Sequence, residues 1–201
     1  MFTLIASMIT FAFIGAVTPG PVNLVATSTG ARSGWSAAMP HVMGASLGYT
    51  LVVICAGVGM SLASQVLPQL AEWMRYAGGA FLLYIAFKIA TAPVEPHDGR
   101  AMTDGRKAGL FNGALIQILN PKAWIVSLSG IGLYVTSQPE AGYYLVVFVI
   151  VSFICCFTGV GCWALAGHLI GQNLHRPNPQ RRFNQFMGLT LTAAVILMLM
   201  E

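Results

Sequence analysis

The chain has 201 residues, of which 56% are hydrophobic and only 8% charged, against about 25% charged in an average soluble domain. That deficit excludes an ordinary water-soluble globule. The formal net charge of +4 therefore bears on orientation in a bilayer and not on nucleic acid, since no basic tract interleaved with aromatics occurs. Six helices of roughly 20 apolar residues, each crossing about 30 Å of hydrocarbon, would use about 120 residues and leave the rest for short connections.

The first apolar run, about residues 2–26, lacks the cationic n-region of a secretory signal and continues through Pro19 and Pro21, so it reads as a retained first span. It is interrupted by Thr18-Pro19-Gly20-Pro21-Val22-Asn23. After Gly30-Ala31-Arg32-Ser33-Gly34, a second span covers about 39–62 and carries the GxxxG step Gly44–Gly48, which permits close helix approach. Ser64–Glu72 separates it from a third span, about 73–90, thinned by Gly78-Gly79-Ala80. The polar stretch 93–107 reads as a linker between halves of about 1–92 and 108–201 within one transporter-like domain, 1–201. A fourth span, about 109–134, opens on Gly109–Gly113 and is broken at Leu119-Asn120-Pro121-Lys122-Ala123-Trp124. Spans of about 142–167 and 183–200 complete the set, separated by Asn173–Arg182. The GxxxG steps serve packing within one subunit or between two, as in a homo-oligomer.

Short loops rich in Lys and Arg stay cytoplasmic. The first, third and fifth breaks with their flanks hold Arg32, Lys88, Arg100, Arg106, Lys107, Arg176, Arg181 and Arg182, whereas the second and fourth hold only Arg75. Both termini are thus expected on the outer face. The fold expected is all-α and polytopic: six transmembrane helices as two inverted three-helix repeats, with helices one and four broken by proline. Paired interruptions in corresponding spans are the best sequence pointer to a midplane binding site.

A proline lacks an N–H and frees the carbonyl four residues earlier, here those of Gly15 and Val17 in helix one and Gln117 in helix four. Non-helical backbone at membrane depth must be buried in protein or line a cavity. If the helix restarts at Pro21, the N–H groups of Val22 and Asn23 form a positive dipole end suited to a carboxylate, while freed carbonyls suit an ammonium. Candidate substrate-binding residues are Thr18, Pro19, Gly20, Pro21 and Asn23 in helix one, and Gln117, Asn120, Pro121 and Lys122 in helix four. A proline kink without a ligand is the plainer account of any one break. Lys122 reads as a counter-charge to a substrate carboxylate or as a group that changes proton occupancy, because an intramembrane charge costs at least about 2.5 kcal/mol; snorkelling is its structural alternative. Asn23 is equally accounted for by a helix-to-helix hydrogen bond.

His97 and His175 fall in cytoplasmic loops, while His41 and His168 sit at span ends, where interfacial placement or proton relay both fit. Cys55, Cys155, Cys156 and Cys162 lie in apolar runs without CxxC spacing and read as buried small hydrophobes. No metal-ligand pattern is present and no cofactor is implied.

Five motifs in order resemble the bacterial amino-acid exporters of the lysine-exporter and homoserine/threonine-resistance (LysE/RhtB) family. They are Thr18-Pro19-Gly20-Pro21 with Asn23, Gly44–Gly48, Gly78–Tyr84 ending at Lys88, Asn120-Pro121-Lys122-Ala123, and Arg182–Gly188. Cys162–Leu169, Lys88–Thr91 and Cys55-Ala56-Gly57 further resemble its cysteine/O-acetylserine branch. The resemblance implies efflux of amino acids or close derivatives, with neutral ones such as cysteine, O-acetylserine, homoserine or threonine favoured. It also implies a bacterial inner-membrane location and exchange with entering protons. Two other classes compete. A six-helix membrane thiol-redox protein would carry a cysteine beside each helix-breaking proline, where this chain has Thr18 and Asn120. An intramembrane lipid-modifying enzyme would need carboxylates or a nucleophile beside a base, and the span interiors hold no Asp or Glu.

Overall fold

The computed structural model describes residues 2–59, 76, 79–92, 103–172 and 177–200. All regular structure among the described residues is helical: α1 Phe2–Val17, α2 Pro21–Ser33, α3 Trp35–Gly59, α4 Gly79–Ala90, α5 Thr103–Ile118, α6 Pro121–Tyr134, α7 Ala141–Gly171 and α8 Pro177–Met200. The break expected at Ser64–Glu72, most of the 93–107 linker, His97 and His175 lie outside the described residues.

Both proline interruptions divide a span into two helices. α1 and α2 meet at 62°, and Gly109–Ile118 of α5 meets α6 at 61°. α3 and α7 are each long and apolar enough to cross a membrane, and each bent pair passes the same test when taken together. Several boundaries shift from the sequence reading. The broken first element continues to Ser33, and only Gly34, at φ +85°, separates α2 from α3; this is backbone that favours glycine. The linker is partly helical, since α5 starts at Thr103, and α8 starts at Pro177, which places Arg181 and Arg182 on a helix and not in a loop.

α3 and α7 pack against each other, and the broken elements wrap around them: α3 contacts α2, α5 and α6, while α7 contacts α1, α2 and α6. α4 and α8 pair with each other and touch the rest chiefly through α2. Glycine sets the closest approaches. A Cβ on Gly44 or Gly48 would run into the backbone of Leu110 or Ala114, and one on Gly113 into that of His41, so the two GxxxG steps face each other within one subunit. Gly30 and Gly167 do the same for α2 and α7, against Ala164 and Thr27 respectively.

Unlike a soluble protein, the fold is apolar on its surface as well as in its core. Leu47, Leu51, Ile54 and Val58 make an exposed stripe along α3, and Val146, Ile150 and Ile154 one along α7. Asn23, Thr27, Ser28, His41, Ser46, Gln117, Asn120 and Ser127 are buried. Exposed apolar stripes of this extent need lipid as their solvent. This corrects two sequence expectations. Cys55 and Cys162 are exposed, not buried, because a small apolar side chain meets lipid without penalty. His41 does not begin its helix: α3 starts at Trp35 and carries His41 about a turn and a half inside, where it is 3% exposed.

Candidate functional site

The two breaks meet. Between them lies a cavity of about 40 Å³ lined by Gly15, Ala16, Thr18, Gly20, Val22 and Asn23 from the first broken element and Gln117, Asn120, Lys122, Ala123 and Val126 from the second. Tyr49 of α3 and Cys156 and Val160 of α7 close it. The volume holds about three waters. Of the residues singled out in the sequence, Thr18, Gly20, Asn23, Gln117, Asn120 and Lys122 reach the cavity. Pro19, Pro21 and Pro121 are not among its lining; they act by breaking the helices.

At the first break the carbonyls set free by proline are treated unequally. Val17 O accepts the indole N–H of Trp163 from α7 at 2.9 Å. Gly15, whose carbonyl is freed by Pro19, is among the residues lining the cavity, and its oxygen receives no side-chain donor among the described residues. The Asn23 amide turns back to donate to Ala16 O at 2.9 Å and Thr18 O at 3.0 Å, which ties the start of α2 to the end of α1. Gly20 caps α2 without a side chain and Pro21 occupies its first turn. The N–H groups of Val22 and Asn23 precede the first α2 bond, Leu24 N–H to Gly20 O at 3.0 Å, and they are the open donors of that helix start.

The second break is closed more tightly. Asn120 caps α6 by accepting from Lys122 N–H at 3.2 Å, and its amide donates to Gln117 Oε1 at 3.4 Å. Asn120 N–H donates to Gln117 O at 3.2 Å, and the Trp124 indole donates to Ile118 O at 2.8 Å. Gln117 and Asn120 thus line the cavity, while Trp124 caps backbone beside it.

Lys122 joins the two breaks. It is half-buried in the first turn of α6, and its Nζ donates to Thr18 O at 2.9 Å across the cavity. This is a directed bond between the two broken elements. Gly20 lies directly beside it, 3.7 Å from its would-be Cβ to Lys122 Nζ.

His41 stands one bond behind the cavity, with Nε2 3.1 Å from Val22 O. A carbonyl only accepts, so Nε2 carries the proton. His168 accepts from the Gln172 amide at 3.2 Å at the end of α7, away from the cavity lining. Tyr49, Cys156 and Trp163 were not expected at the site. Tyr49 follows the Gly48 seam by one residue, which is the one signal that could have placed it; Trp163 donates through a tertiary contact that leaves no local trace.

The sequence matches a family described as LysE type translocator over residues 13–201. It is 32% identical, over 199 residues, to proteins named cysteine/O-acetylserine efflux protein from Escherichia coli strain K12, from Shigella sonnei strain Ss046 and from Escherichia coli O157:H7. The matched stretch covers 98% of this chain and 94% of each relative. No solved structure gives a significant match.

Proposed function

The chain belongs to the LysE type translocator family and is a membrane transporter and not an enzyme; from this premise we propose that it exports amino acids or close derivatives across a bacterial inner membrane by proton antiport. The observation that carries the reading is the cavity where both proline breaks converge. On this reading the substrate's ammonium takes the Gly15 and Thr18 carbonyls, and its carboxylate takes the Val22 and Asn23 N–H groups at the positive end of α2. Gln117 and Asn120 supply amides to the side chain, and Pro19, Gly20, Pro21 and Pro121 shape the backbone that makes these groups available. The name shared by the three relatives favours neutral substrates such as cysteine or O-acetylserine, with homoserine and threonine of the same class.

The architecture proposed is six spans in two inverted repeats of one domain, α1–α4 and α5–α8, joined by the linker within 93–107. The matching bends of 62° and 61° support it. So does the exchange of partners, in which α3 packs on α5 as α7 packs on α1, and α7 on α2 as α3 on α6. The repeats rock about the cavity, exposing it first to the cytoplasm and then outward. The cation count along the loops, eight against one, supports both termini on the periplasmic face. GxxxG seams are consumed inside the subunit, so a homo-oligomer would form through the exposed apolar stripes.

The test is transport by proteoliposomes under an imposed pH gradient, with labelled cysteine, O-acetylserine, homoserine, threonine and lysine. Gradient-driven movement of a neutral member, accompanied by proton flow in the opposite direction, is expected. Folded, inserted protein that moves none of the five would overturn the reading.

A further inference from the structure

Lys122 Nζ and the Asn23 amide donate to the same atom, Thr18 O, at 2.9 and 3.0 Å. That oxygen belongs to the first broken element and Lys122 to the second, so the ammonium of one lies on an acceptor exposed by the other. Resting on the amino-acid efflux reading, we propose that the Lys122 ammonium is a tethered competitor of the substrate's own ammonium for the Thr18 carbonyl, and that this exclusion couples proton entry to substrate exit.

The surroundings of Lys122 favour exclusion over coexistence. The other titratable groups facing the cavity are Tyr49 from α3 and Cys156 from α7, with His41 one bond behind on Val22 O. No carboxylate lines the cavity among the described residues. Two ammonium groups on one carbonyl would repel in a region of low dielectric; no protein carboxylate among the lining residues neutralises the second, and the substrate's own carboxylate is held at the start of α2. A substrate arriving from the cytoplasm displaces Lys122, which releases its proton to cavity water and becomes the neutral amine. After the substrate has been carried outward, a periplasmic proton recharges the amine, and the ammonium returns to Thr18 O as the substrate leaves. The proton count balances at one in for each substrate out. The loaded site carries a zwitterion and a neutral amine, whereas the returning site carries one positive charge, so each cycle moves one positive charge inward.

The experiment compares wild type, Lys122→Met and Lys122→Arg in proteoliposomes, reading labelled cysteine or homoserine flux, proton flux and charge movement. In wild type the KM falls as pH rises, because the competitor loses its proton. Lys122→Met is expected to lower KM roughly tenfold, which corresponds to about 1.4 kcal/mol. It should carry substrate only downhill, with no proton or charge movement. Lys122→Arg keeps a cation that cannot release its proton and is expected to slow flux at least about tenfold while remaining folded. A wild-type KM indifferent to pH overturns the proposal. So does a Lys122→Met protein with raised KM and intact proton coupling, the behaviour of a carboxylate counter-charge. Wild type that moves no amino acid would instead refute the efflux reading, and this proposal with it.

Discussion

Gly159 and Gly161 stand two residues apart on α7 and differ sharply in what an added methyl would meet. At Gly159 a Cβ would lie 2.8 Å from Ala16 Cβ and 3.1 Å from Ala16 C on α1. At Gly161 the nearest atom is Trp35 Cη2, at an ordinary 3.6 Å. Relieving the first contact requires α1 and α7 to separate by about 0.6 Å, at a cost of about 1–3 kcal/mol for overpacking of this kind. At about 2–4 °C per kcal/mol for a chain of this length, Gly159→Ala should lower Tm by about 2–12 °C. Gly161→Ala gains up to about 1 kcal/mol of helix propensity and should be unchanged or slightly raised. The assay is thermal unfolding of the purified proteins in one detergent, followed by intrinsic fluorescence. Because Ala16 O also accepts from Asn23, the first variant should lose transport as well. Equal Tm shifts in the two variants would refute the close α1–α7 approach.

Trp163→Phe keeps the ring but leaves Val17 O without its donor; at about 1 kcal/mol for such a bond in a membrane protein, KM should rise about fivefold with the fold intact, and an unchanged KM would show that the indole does not hold the break. In a variant retaining only Cys156, a small methanethiosulfonate reagent should inhibit flux and substrate should slow the inhibition. Modification indifferent to substrate would place the thiol outside the transport path. Asn120→Ala removes the α6 cap and should cost about 1 kcal/mol, or about 2–4 °C in Tm. Asn120→Ser should recover most of that, and equal losses in both would exclude capping as the role of this side chain.

Both breaks were legible in the sequence because proline's effect is local: the missing N–H at Pro19, Pro21 and Pro121 needs no tertiary partner to act. The glycine seams were legible as a spacing, though Gly44 could not name Leu110 as its neighbour. What could not be read was the fate of each freed carbonyl. Backbone oxygens look alike in every sequence, so nothing local says that Val17 O is taken by an indole on α7 while Thr18 O is shared by Asn23 and Lys122. The exposure of Cys55 and Cys162 was hidden for a related reason: in lipid, apolar residues occupy both the inside and the outside of the fold, so hydropathy no longer distinguishes the faces. His41 misled through Pro40, which is a helix-boundary signal in most settings and here lies inside α3.

The glycine seams also constrain how the protein is made. Gly44 and Gly48 of α3 seat on the backbone of Leu110 and Ala114, and α2 seats on α7 at Gly167; each early helix thus waits for a partner from the other side of the linker. At about 5–20 residues per second, roughly 6–25 s pass between synthesis of Gly48 and of Gly167. Through that interval the α2 backbone at Thr27 lacks the Gly167 seat of α7, and the Thr27 hydroxyl lacks the Trp163 carbonyl it also meets in the finished fold. The nascent chain therefore needs shelter at the insertion machinery until α7 has emerged, and the segments before and after the linker, expressed as separate polypeptides, should survive quality control only when they are produced together.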